Sequence, residues 1–262
     1  MDTAASGSTP ISLWWIALLA LLALTAAREI GYLLRKRREK SRPGAEIESD
    51  DGFSMTSVMG LLALLIGFTF SLSLQRHEAR RELVMNEANA LGTAWLRMQL
   101  LDDSERVKLG HLLRQYVDVR VRWGMAASAD GEARAFRESE HLQQQLWTET
   151  VAAVKPIRAS TLAPLLVNST NEYLDVSEQR FALREAHLPP QILRFLAIYA
   201  LISAAMIGFH KGRHRFVTTV LFVLLTLAGT LILDLDRPRS GSIMVSQQPM
   251  LDLQATMAKT KQ

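Results

Sequence analysis

The chain contains no cysteine, which excludes disulfide frameworks, thiolate nucleophiles, Cys-ligated zinc and iron–sulfur clusters. It also lacks a phosphate-binding glycine loop, the paired histidines of a metalloprotease and a nucleophile elbow. Its six histidines are scattered, and only His210 and His214 stand at a helical ligand spacing, with no carboxylate nearby. No catalytic residue, cofactor or metal ligand is assigned, and the chain is not read as an enzyme. Residues 76–189 are poor in Gly and Pro and show no period-two alternation, so strands are not expected there.

What is present is segregated. Apolar residues make up 48% of the chain and charged residues 21%, and the apolar ones gather into four runs close to the roughly 20 residues that cross a bilayer. The net charge of +4 does not indicate a nucleic-acid partner, because residues 76–189 hold 15 Lys and Arg against 16 Asp and Glu. The excess basic charge lies beside the apolar runs, where it orients membrane proteins.

The fold class expected is all-α, a multi-pass membrane protein with four transmembrane helices and an extramembrane helical bundle between the second and third. The boundaries are a polar tail over 1–10, spans at 11–34, 54–75, 188–209 and 216–233, a basic then acidic connector over 35–53, the bundle over 76–187, and a motif and tail over 234–262. The second span is the clearest, with 22 uncharged residues from Ser54 to Gln75. Pro189 and Pro190 mark the entry to the third span, and Arg194 there is placed to snorkel. The first and last bundle helices are expected to run on into the second and third spans, forming a stalk. An Ala-Asp-Gly turn at 129–131 should separate two bundle helices, and residues 250–262 should be poorly ordered.

Seven Lys and Arg lie between Arg28 and Phe53, and three lie in the six residues from His210 to Arg215. By the positive-inside rule both connectors are cytoplasmic. In an inner membrane, the amino terminus, the bundle and the carboxyl tail then share the outer or periplasmic side. The basic run Arg35–Arg42 is sufficiently explained by this role.

Three carboxylates break local rules. Asp234 and Asp236 oppose the dipole of the helix they end, by about 0.3–1 kcal/mol each. One reading has Arg237 and Arg239 neutralise them and Pro238 stop the helix, with Gly241 closing the motif; the other is an ion-coordinating ring at a pore mouth, built by several copies. Glu87 lies on the apolar stripe of Leu83 and Leu91 and should not be buried alone. Arg180 or Arg184 is its expected partner, as a structural ion pair or as a proton or ion site.

Two stretches carry a resemblance: Leu65-Ile66-Gly67-Phe68-Thr69-Phe70-Ser71 running into Gln75-Arg76-His77-Glu78-Ala79-Arg80, and Leu231-Ile232-Leu233-Asp234-Leu235-Asp236-Arg237-Pro238-Arg239-Ser240-Gly241. With four spans split two and two, the chain resembles the bestrophin-like domain family of bacterial membrane proteins, and more distantly the pentameric bestrophin anion channels. That resemblance implies a homo-oligomer in the bilayer, a pentamer if the likeness extends so far, with inorganic anions as candidate partners. It places Leu64 and Phe68 at a pore constriction. Gly60 stands where a bestrophin has a bulky side chain, the acidic calcium clasp after the fourth span is absent, and the loop charges argue the opposite orientation. Gly60, Ala63, Gly67 and Ser71 also form a small-residue stripe suited to close helix packing. The rival to an ion pathway is a non-conducting scaffold or envelope sensor whose stalk binds a partner.

Overall fold

The computed structural model describes residues 12–41, 51–210, 215–238 and 241–259. The expected polar tail at 1–10, Arg42, the centre of the His210–Arg215 connector and Arg239 lie outside the described residues. Among the described residues eight helices follow in order: α1 (Leu13–Ser41), α2 (Asp51–Met98), α3 (Asp103–Gly124), α4 (Ala129–Val154), α5 (Leu162–Glu185), α6 (Pro190–His210), α7 (Arg215–Asp236) and α8 (Gln248–Lys259). There is no strand among the described residues. Four helical stretches, those holding α1, α2, α6 and α7, are long and apolar enough to cross a membrane.

The chain divides into two compact units, and the division falls inside α2, at Gln75 and Arg76. The first unit holds α1, the amino-terminal part of α2, α6 and α7. Its tightest packing is between α1 and α6. A Cβ placed on Gly31 would collide with the carbonyl of Ala205, and one on Gly208 with the carbonyl of Arg28. Two glycines thus bring two backbones into contact, the close approach on which helix association in lipid depends. Arg35 Nη1 donates to the carbonyls of His210, at 2.9 Å, and Phe209, at 3.3 Å, satisfying the end of α6. Ser73 Oγ donates to the carbonyl of Ile232 at 3.0 Å and joins α2 to α7.

The second unit packs the rest of α2 with α3, α4, α5 and α8 around Leu91, Trp95, Leu113, Tyr116, Trp123 and Leu146. Burying a large side chain of this kind contributes about 1.5–3 kcal/mol. Ser128 caps α4 by accepting from the amide of Gly131 at 3.1 Å.

Several expectations are corrected. The first, basic part of the connector continues α1 as helix to Ser41, because Arg and Lys are good helix formers and Arg35 pairs with Glu39 one turn on, at 2.7 Å. Residues 129–131 are the first turn of α4, not a separating turn. α2 does run on from span to bundle without a break, but α5 does not continue into α6. Residues 186–189 are non-helical, with Ala186 extended, and helix is disfavoured at Leu188 and Pro189 because each directly precedes a proline. Residues 250–259 belong to α8, which is ordered because Met250 and Met257 recur on one face and are buried in the second unit's core.

Candidate functional site

Within the first unit, α2 turns Met55, Leu62, Thr69 and Ser73 inward. The opposite side carries Gly60, Ala63, Leu64, Gly67, Phe68 and Ser71, all exposed. Leu64 is 52% and Phe68 64% exposed, and a Cβ on Gly60 or Gly67 would meet nothing within 4 Å. The small-residue stripe therefore does not pack against this chain's own helices. Positions 63 and 64, like 67 and 68, differ by one residue, or about 100° around the helix. Small and bulky side chains thus alternate across one outward face.

At the end of α7, Asp234 and Asp236 are buried at 6% and 7% exposure, and each carboxylate receives a backbone amide. Both oxygens of Asp234 accept from the N–H of Ser242, at 3.0 and 3.1 Å. Gly241 makes this possible, since its φ of +144° is open to glycine and a Cβ there would strike Asp234 Oδ1. Asp236 Oδ1 accepts from the N–H of Leu188 at 2.9 Å, and His187 Nδ1 stands 3.5 Å from Oδ2. The two carboxylates staple the loop after α7 and the start of the segment leading into α6. That arrangement offsets their unfavourable position on the helix dipole. Arg237 lies just beyond, and its backbone N–H donates to the carbonyl of Asp234 at 3.2 Å.

In the second unit, Glu87 is fully buried between two arginines. Arg120 Nε donates to Oε1 at 2.5 Å and Arg180 donates to Oε2. Burial alone would raise the carboxyl's pKa, but the charges and hydrogen bonds of Arg120 and Arg180 outweigh it and hold Glu87 below the usual carboxylate range. Arg184 sits elsewhere, with Nε 2.5 Å from Glu132 Oε1. The three guanidiniums surround Trp123, at 4.2, 5.0 and 4.6 Å from its ring centroid for Arg120, Arg180 and Arg184. Arg180 also donates to Gln247, just before α8.

Sequence reasoning missed Arg120, Glu132 and Gln247. A signal for Arg120 existed, because it falls on the same stripe of α3 as Tyr116 and Trp123, where a charge is as conspicuous as Glu87. Nothing local marks Gln247, which is reached only through the fold.

A family model for the Bestrophin-like domain matches residues 21–250. The chain belongs to the Bestrophin-like domain family. Two solved structures of a bacterial bestrophin homologue from Klebsiella pneumoniae, each with one substitution, share its fold. One has a TM-score of 0.68 at 13% identity, covering 93% of this chain and 99% of that one. The other has a TM-score of 0.64 at 15% identity, covering 93% and 98%. A third structure, described only as a membrane protein, gives 0.67 at 14% identity, covering 94% and 97%. No curated protein sequence matches. Family membership and four apolar helices make this bestrophin-like chain a multi-pass membrane protein.

Proposed function

We propose that the chain forms a homo-oligomer in which the outward faces of α2 surround a pathway for inorganic anions, with Leu64 and Phe68 as its constriction. The observation that carries this reading is the exposure of Leu64 and Phe68, 52% and 64%, on a helix whose other side is packed. Gly60 and Gly67 have open space beside them on that face. A ring of apolar side chains can gate by dewetting, which requires several copies about an axis. Small residues between the bulky ones allow neighbouring copies to approach. The basic connectors support an inner-membrane orientation with the bundle outside.

Asp234 and Asp236 act in this reading as staples at the helix end, because their oxygens already accept backbone amides. Glu87 acts as a structural ion pair, since a carboxylate held ionised by two arginines is a poor proton carrier.

The test is the mass of the detergent-purified protein, followed by anion flux from vesicles carrying the wild type and Phe68→Ala. A defined oligomer and a several-fold higher flux in the variant are expected. A monomer, or flux unchanged by the substitution, would leave the non-conducting scaffold as the better reading.

A further inference from the structure

The first unit holds a chamber of about 270 Å³ between its four spans, with Ala20 of α1, Leu62 of α2, Ala200 of α6 and Gly229 of α7 on its sides. A Cβ on Gly229 would meet nothing within 4 Å. Among the described residues none that lines the chamber is ionisable, and the only polar side chains there are those of Thr226 and Thr230. The two hydroxyls behave differently. Thr230 Oγ1 donates to the carbonyls of Thr226 and Leu227, at 3.0 and 2.9 Å. Thr25, Thr69 and Ser203 turn back on their own helices in the same way. Thr226 is 8% exposed, and its Oγ1 is buried without a hydrogen-bond partner among the described residues.

We propose that this chamber binds a neutral, membrane-dissolved molecule with an apolar body and one oxygen, an alcohol or a ketone, whose oxygen pairs with the Thr226 hydroxyl. A buried hydroxyl without a partner is costly, and a carbonyl one turn back is the acceptor its neighbours use. Thr226 lines the chamber without using it and is the polar handle for the ligand. The size fits, because an apolar cavity of about 150 Å³ binds benzene and this one takes a larger body. The depth selects a neutral ligand. α7 runs from Arg215 to Asp236, with Thr226 11 residues after the first and 10 before the last, about 15 Å from either end at 1.5 Å per residue. That is the middle of a hydrocarbon layer about 30 Å thick. A phosphate or carboxylate there needs a counter-charge, and the chamber lining supplies none. A plain hydrocarbon chain would leave the hydroxyl without a partner. The site is separate from the proposed anion pathway, because Leu62 is buried on the side of α2 away from the exposed Leu64 and Phe68.

The probes are octanol and octane, each carrying a photoreactive diazirine, crosslinked to the purified protein in lipid nanodiscs and located by mass spectrometry of its peptides. Labelling of chamber residues by the alcohol should saturate and be displaced by excess plain octanol, while labelling of the exposed Val217 and Leu224 should rise linearly. Thr226→Val keeps the side-chain shape and removes a hydroxyl that has no partner, so the variant should fold as well as wild type. Its half-saturating alcohol concentration should rise about fivefold, the scale of one net hydrogen bond, with octane labelling unchanged. Gly229→Leu fills the chamber with a better helix former and should abolish saturable labelling by both probes. Octane binding as tightly as octanol, or alcohol labelling unaffected by Thr226→Val, would mean a space for acyl chains only and overturn the proposal. Linear labelling of the chamber, or none, would mean that lipid or a second copy fills it and would equally overturn the proposal. If Gly229→Leu does not fold, the comparison of wild type with Thr226→Val decides it.

Discussion

Gly241 lies directly against the carboxylate of Asp234, and its positive φ is what lets the Ser242 amide reach both oxygens. Gly241→Ala adds a methyl where Oδ1 already sits and forces a side chain into a backbone region that L residues rarely adopt. A loss of about 1–3 kcal/mol is expected, read as a lower apparent midpoint of thermal unfolding in detergent. Asp234→Asn keeps an acceptor for one amide and should cost less. Equal stability of wild type and Gly241→Ala would show that the staple contributes nothing.

Removing Glu87 should be far more damaging than removing an exposed acid. Glu87→Ala leaves Arg120 and Arg180 buried without their carboxylate, a change of about 3–5 kcal/mol. Glu172→Ala, at an exposed position of α5, is the control and should lie within about 0.5 kcal/mol of wild type. Yields and unfolding midpoints of the two variants decide it.

The same group makes an acid-sensitive contribution. Its folded pKa is depressed, so its stabilisation is complete above the ordinary carboxylate pKa, about 4.3. That contribution is lost as pH falls through the folded value. An unfolding-midpoint profile should therefore fall on the acid side in the wild type and flatten in Glu87→Gln. A Glu87→Gln profile parallel to that of the wild type would remove Glu87 from the acid response.

The crossing of α1 and α6 tolerates nothing larger than glycine at two points. Gly31→Leu and Gly208→Val each drive a side chain into a backbone carbonyl. The helices must then separate, with a cost above the 1–3 kcal/mol of ordinary overpacking because backbone rather than side chain is displaced. Both variants should be recovered as aggregate or proteolysed fragments in size-exclusion analysis, whereas Gly92→Ala, where a Cβ would make only ordinary contact with Leu253, should be recovered as wild type.

Orientation can be read chemically because the chain has no cysteine of its own. A single cysteine in the α3–α4 connector labels against no background. Ala127→Cys, at an exposed position, is preferable to a change at Ser128, whose hydroxyl caps α4. An impermeant thiol reagent should label it in intact cells. Labelling confined to lysed cells would place the second unit in the cytosol.

The sequence by itself determined the four apolar helices, the all-α class and the family, because burial in a bilayer is written into continuous uncharged runs and those runs survive without any knowledge of contacts. It also exposed Glu87, Asp234 and Asp236 as residues that break a local rule. Which groups answer them was decided by tertiary structure alone. Arg120 and Arg180 stand 33 and 93 residues from Glu87, and the amides of Ser242 and Leu188 come to Asp234 and Asp236 through a turn and a chain reversal. Helical periodicity reports only which face is buried, over three or four residues. It carries no term for a pairing across the fold, nor for the space left among the four spans, which exists only once the helices have been set side by side.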